Sequence, residues 1–145
     1  MTSLIEVSNL TKKFKDLTAV DGLSFSVPKG VVYGFLGQNG AGKSTTIRML
    51  LTLIRPTSGQ ISILGKPLAN HRNEILQQVG AIIEKPDLYN YLSALDNIRI
   101  MARLSGLHPS KESLLLHLDR VGLKDRALSK VKTFSQGMKQ RLGIA

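Results

Sequence analysis

A chain of 145 residues, 42% of them apolar and none of them cysteine, can bury one hydrophobic core. It can build neither a disulfide framework nor a cysteine-ligated metal site. Its 20 Lys and Arg outnumber 10 Asp and Glu, a formal charge of +10, which raises nucleic-acid binding as one reading. The cations are spread along the chain, however, and the densest group is Lys12, Lys13 and Lys15 around Phe14. A solvated basic surface with a phosphate site is therefore the expectation, and nucleic acid is not the expected partner.

The start, Met1 to Val7, lacks a basic segment followed by a long apolar run and does not read as a signal peptide. Ile5 and Val7 alternate with polar neighbours, as do Leu23, Phe25 and Val27, which predicts two half-buried antiparallel strands. Pro28-Lys29-Gly30 is a turn signal. Val31 to Leu36 is a continuous apolar run, the pattern of a strand buried on both faces. A membrane span needs roughly 20 apolar residues and no run approaches that. The expectation is a soluble chain whose connection to a membrane goes through a partner.

Gly37 to Gly42 reads as a loop. Ile47, Met49, Leu50, Leu51 and Ile54 predict an apolar helix that stops before Pro56. Ile61 to Gly65 predicts a short strand and turn. Ile75, Leu76 and Val79 predict a short helix closed at Gly80, and Ala81-Ile82-Ile83 predicts a second buried strand ending on Glu84. After Pro86 the pattern turns helical. Ser93 and Asp96 form an N-terminal capping pair for Leu95, Ile98, Met101 (or Ala102) and Leu104, with Gly106 as the stop. Ser110 caps Leu114, Leu118 and Val121, with Gly122 as the stop, and Ser135 caps a last helix. The division expected is 1–91 and 92–145, the second part largely helical. From about Leu92 to Lys132, an inserted helical subdomain and a chain-local helix pair both satisfy the pattern.

The most specific chemistry lies in Gly37-Gln38-Asn39-Gly40-Ala41-Gly42-Lys43-Ser44-Thr45, a full G-x-x-x-x-G-K-[ST] P-loop between a predicted strand and a predicted helix. Glycines allow backbone conformations in which successive N–H groups turn inward as an anion nest. The helix that follows adds its N-terminal partial positive charge. Lys43 supplies a charge for the β- and γ-phosphates, and Ser44 a hydroxyl for Mg²⁺. A nucleoside triphosphate, ATP, and Mg²⁺ are the expected ligands.

Hydrolysis also requires a carboxylate near the metal or the attacking water. Asp119 follows an apolar run, but the Leu114/Leu118 spacing and Gly122 place it on a solvated helix face. Glu84, at the end of Ala81-Ile82-Ile83, is the stronger candidate for the γ-phosphate and the metal, with an ordinary loop acid as the equal alternative.

Phe134-Ser135-Gln136-Gly137-Met138-Lys139-Gln140-Arg141-Leu142 resembles the signature motif of ATP-binding-cassette (ABC) ATPases, usually L-S-G-G-Q. Ser135 and Gly137 are kept. Phe134 replaces Leu, Gln136 the first Gly and Met138 the Gln. The resemblance covers the whole chain. It places Phe14 where the family stacks an aromatic on adenine, and Val79 to Pro86 is similar to the family's Q-loop, with Glu84 in place of the usual Gln. That glutamate looks like the branch exporting bacitracin and lantibiotic peptides. The implied fold is an α/β P-loop core of ABC type with an antiparallel β subdomain and a helical subdomain.

The resemblance also implies a mechanism. Two subunits pair head to tail, and Ser135 and Gly137 of one meet the γ-phosphate held by Lys43 and Ser44 of the other. The cycle drives a transmembrane permease subunit from the inner face of the cell membrane. In the family the Walker B aspartate, the catalytic glutamate and the switch histidine follow the signature. The sequence stops at Gly143-Ile144-Ala145, so the expectation is an N-terminal portion that does not hydrolyse ATP alone. A GTPase would carry N-K-x-D, which is missing from the sequence. A P-loop kinase and an ABC protein acting on nucleic acid or ribosomes are the rival readings.

Overall fold

A computed structural model describes residues 3–83 and 85–145. They fall into two compact units, Met1–Ile83 and Glu84–Ala145.

The first unit is built on an antiparallel sheet. Strand β1 (Ser3–Phe14) turns through Lys15 and Asp16 into β2 (Leu17–Pro28), and β3 (Ser58–Ile63) and β4 (Lys66–Pro67) complete the order β2-β1-β3-β4. Val7 faces Phe25 on one side and Ile61 on the other. The alternation of apolar residues thus delivers one apolar face, as the sequence predicts. Helix α1 (Lys43–Leu50) and helix α2 (Arg72–Leu76) set Met49 and Ile75 against Val7, Leu10, Val20, Ile61, Ile63 and Leu68. Burying each large side chain of this cluster contributes about 1.5–3 kcal/mol. Gly59, at φ +95°, lets β3 cross β1 closely, because a Cβ there would lie 2.5 Å from the Asn9 carbonyl oxygen.

Four expectations are corrected. Val31 to Leu36 is not a strand, and Val32 (104% exposed) and Leu36 (91%) are uncovered. Ala81 to Ile83 is not a strand either, and Ile82 is exposed. An apolar run states a preference for burial, but a strand exists only through hydrogen bonds to a neighbour. Among the described residues no strand pairs with either segment. Tyr33 and Phe35 instead lay their rings against Phe25, at centroid distances of 5.9 and 5.4 Å. Helix α1 ends at Leu50, not near Ile54, because Thr52 adopts φ +58° and its N–H closes on the Met49 carbonyl at 3.0 Å. Helix α2 ends at Leu76 rather than Gly80, where the Gln78 N–H bonds the Ile75 carbonyl in a tightened turn.

The second unit carries helices α3 (Ala94–Leu104), α4 (Lys111–Arg120) and α5 (Gln136–Ile144), with short 3-10 turns at Lys124–Arg126 and Val131–Thr133. Each helix opens on the expected serine. Ser93 Oγ accepts from the Asp96 N–H at 3.1 Å, Ser110 Oγ from Ser113 at 3.2 Å and Ser135 Oγ from Met138 at 3.3 Å. Such a cap contributes about 1 kcal/mol. Leu95, Ile98, Leu114, Leu118, Leu123, Val131, Phe134 and Leu142 form one core, so these helices are more than a local pair. Asp119 lies on α4 and pairs with Lys124 at 3.5 Å on the surface, as the helical reading of that residue requires.

Candidate functional site

The phosphate-loop sequence lies directly over the start of β2. Gly42 has φ +82°, and a Cβ on it would meet the Ala19 carbonyl oxygen at 2.3 Å and Val20 Cγ2 at 2.9 Å. Only glycine fits there, on grounds of both conformation and space. Gly42 is also the N-cap of α1, so no side chain caps that helix, and its first turn contains no acidic residue. The N–H groups of Lys43, Ser44 and Thr45 are those an α-helix leaves without intrahelical partners. They carry the positive end of the helix dipole. The buried Thr46 anchors this turn, its N–H and Oγ1 both donating to the Gly42 carbonyl, at 2.8 and 3.0 Å.

Within the loop, the Ala41 N–H donates to the Gln38 carbonyl at 3.1 Å. The Lys43 ammonium folds back to donate to the carbonyls of Gly37 (2.6 Å) and Gln38 (2.7 Å). Gly37 accommodates Ala41 and the stem of Lys43, at 3.3 and 3.7 Å from where its Cβ would be. Asn39, Gly40 and Ser44 are exposed, and Thr45 is half-buried. Gly37, Asn39, Gly40, Ala41, Gly42, Lys43, Ser44 and Thr45 thus form one loop and helix start, largely exposed, with N–H donors, one ammonium and the hydroxyls of Ser44 and Thr45.

Phe14 ends β1 and faces Leu17 across the hairpin turn. Leu17 lies two residues before Ala19, roughly 7 Å along the strand, so Phe14 belongs to the hairpin end that seats the loop. It is 44% exposed and belongs to neither core cluster. The Lys12 ammonium lies 4.8 Å from its ring centroid. Glu84, the acid expected near the metal, lies outside the described residues.

In the second unit, Ser135 caps α5 and Gly137 lies in its first turn, both exposed. Among the described residues, nothing beyond its chain neighbours and its own helix backbone lies within 4 Å of where a Cβ on Gly137 would be, and the first turn of α5 holds no acid. Phe134, by contrast, is buried and pins the helix start to the core. The side chain of Arg126 ties the approach to α5, its Nε donating to Ser129 Oγ at 3.0 Å and its Nη2 to Thr133 Oγ1 at 3.3 Å. At the far end, Arg141 donates to the Val121 carbonyl at 3.0 Å, at the C-terminus of α4.

Sequence reasoning missed Lys12, Arg126 and the buried Asn97. Asn97 accepts from the Tyr89 N–H (2.8 Å) and donates to the carbonyls of Tyr89 (3.0 Å) and Ser93 (2.9 Å). An asparagine at an inward helix position, among Leu95 and Ile98, was the signal available. Lys66, hydrogen-bonded to Glu74, lowers the glutamate below its usual range. Glu112 is lowered by its own backbone N–H and by Ser110.

A family model described as ABC transporter matches residues 20–145. The chain is 48% identical over 145 residues to the bacitracin transport ATP-binding protein BcrA of Bacillus licheniformis, covering all of this chain and 47% of that protein. It is 40% identical to the lantibiotic transport ATP-binding protein SrtF of Streptococcus pyogenes, over 98% of this chain and 60% of that one. A solved structure of an ATP-binding subunit of an ABC transporter superposes with a TM-score of 0.82 at 34% identity, over 98% of this chain and 60% of the other. The chain spans about half the length of the curated relatives it matches.

Proposed function

The chain belongs to the ABC transporter family, and from that premise we propose that it forms the ATP-binding part of the subunit that powers a membrane permease. The observation that carries this is the seating of Gly42 on Ala19, which holds the first turn of α1 open to an anion beside the Lys43 ammonium. Backbone N–H groups, helix dipole and lysine then act on the same phosphates. Phe14 offers a ring face to adenine.

The residues present suit Mg²⁺. The ion retains several waters and takes few protein ligands beside the phosphates, and the exposed Ser44 hydroxyl at the second position of α1 is such a ligand. When bound, Mg²⁺ supplies positive charge to the β- and γ-phosphates. Glu84 is proposed as the acid serving the metal and water.

Two copies are proposed to pair head to tail. Ser135 and Gly137 at the exposed, acid-free start of α5 then meet the γ-phosphate bound by the other copy's Lys43 and Ser44. Among the described residues no helix is long and apolar enough to cross a membrane. Attachment to the inner membrane face is assigned to the permease. The cargo proposed, from the names of the relatives, is a peptide antibiotic of the bacitracin or lantibiotic kind, and the complete paired protein hydrolyses ATP to export it.

Calorimetric titration with ATP, with and without Mg²⁺, tests the reading alongside Lys43→Ala. Binding by wild type, weakened at least about 10-fold in the variant, is expected for the loss of a charge-assisted contact. Equal binding by both proteins overturns the assignment of the loop.

A further inference from the structure

We propose that Lys12 is a positioning residue for base recognition, clamping the Phe14 ring from one face so that the other face receives the adenine. The proposal rests on the reading of Phe14 as the base platform and goes beyond it by assigning the residue that sets the platform. Lys12 and Phe14 lie two apart at the end of β1. The Lys12 ammonium is fixed twice, donating to the Arg55 carbonyl at 2.8 Å and lying 4.8 Å from the Phe14 centroid.

The chain two residues beyond Arg55 is itself held. Thr57 N–H donates to the Thr11 carbonyl at 2.8 Å, and Lys13 N–H donates to Thr57 Oγ1 at 3.0 Å, so the segment after α1 is stitched along the end of β1. Lys12 therefore reaches the ring from a rigid base rather than as a free side chain. Phe14 makes no ring–ring contact among the described residues, and at 44% exposure it has no core packing to orient it. Without the ammonium, rotation about its side-chain torsions costs little, and a base must order the ring as it binds.

The cation has a second effect. It draws on the π-cloud from one side, which favours stacking of an electron-rich purine on the other. The arrangement is a stack of ammonium, phenyl ring and adenine, with the triphosphate running toward the loop seated on Ala19. Lys12 touches neither base nor phosphate in this scheme, which separates it from the phosphate-binding Lys43.

The test compares two ligands on the intact protein by calorimetry. ATP reads base and phosphate binding together, and inorganic tripolyphosphate reads the phosphate loop alone. The ratio of the two affinities isolates the base. Phe14→Ala is expected to lower that ratio by roughly 10-fold, the loss of a stacked base. Lys12→Met, which keeps the stem and removes the charge, is expected to lower it by roughly 2- to 5-fold, with tripolyphosphate binding unchanged. Lys12→Arg, which keeps a cation over the ring, is expected to restore it to within about 2-fold. An unchanged ratio in Phe14→Ala overturns the base platform and Lys12 with it. A lowered ratio in Phe14→Ala with an unchanged ratio in Lys12→Met overturns the role of Lys12 alone. So does equal weakening of both ligands by Lys12→Met, since that reports damage to the phosphate loop.

Discussion

Gly42 faces the main-chain carbonyl of Ala19 so closely that a Cβ placed on it would lie 2.3 Å from that oxygen. Gly40, in the same loop and also at positive φ (+85°), has open space on that side. The two glycines therefore separate conformational from steric demand. Gly40→Ala is expected to cost about 1 kcal/mol, the penalty of a left-handed residue. Gly42→Ala should cost on the order of 3 kcal/mol or more, since the strand or the helix must move. Urea unfolding of the two variants measures the difference, and equal losses would show that the loop shifts freely over β2.

Gly137 presents the opposite case. Among the described residues an added Cβ meets nothing within 4 Å outside its own helix, and alanine is a better helix former by about 1 kcal/mol. Gly137→Ala should therefore leave the melting temperature unchanged or raise it by a few degrees. If the proposed head-to-tail pairing holds, the substitution should still reduce ATP turnover, because the methyl group would stand where that pairing brings a partner-held phosphate. Calorimetry and a phosphate-release assay on the same preparation measure the two effects. Full turnover would place the γ-phosphate elsewhere.

Asn97 is fully buried and satisfies three main-chain groups of the Tyr89–Ser93 segment. Asn97→Leu keeps the number and branching of side-chain heavy atoms but leaves the Tyr89 N–H and carbonyl without that partner, each at about 1–3 kcal/mol. A loss of about 3 kcal/mol or more is expected by urea unfolding, against about 1 kcal/mol for the surface cap variant Ser110→Ala. A loss no larger than that of the cap variant would show that the segment finds other partners.

Glu74 titrates below the usual glutamate range, because Lys66 holds its charged form. A carboxyl whose folded value is lowered contributes stability above its unfolded value and loses it as pH falls through the folded one. The contribution is therefore present at neutral pH and fades just below the ordinary glutamate range. Carbon-detected NMR should place the Glu74 midpoint below that of the unfolded chain, and Lys66→Met should move it up. An unmoved midpoint would remove Lys66 as the cause.

Val32 and Leu36 are almost fully exposed in the single chain. Contiguous exposed apolar surface drives association, so these 145 residues expressed alone should self-associate, and Val32→Lys with Leu36→Lys should reduce it. Light scattering against concentration checks this, and a wild-type monomer at all concentrations would contradict it.

The sequence by itself determined the local features. The period-two alternation of Ile5, Val7, Leu23, Phe25 and Val27 specified the hairpin. Ser93, Ser110 and Ser135 marked three helix starts, since a cap is decided within a few residues of chain. The spacing from Gly37 to Thr45 pointed to a phosphate site, because glycine and lysine positions in such a loop carry their physical reason in their identity, while Ser135 and Gly137 pointed to the family only by resemblance. Tertiary structure alone decided what depends on residues distant in sequence. Apolarity could not tell that Val31 to Leu36 and Ala81 to Ile83 lack ladder partners among the described residues, since a strand is a property of two segments. Nor could it place Lys12 over Phe14 by way of the Arg55 carbonyl, or set Gly42 against Ala19. Those contacts arise where the chain returns to itself, and only the folded backbone fixes which residues meet there.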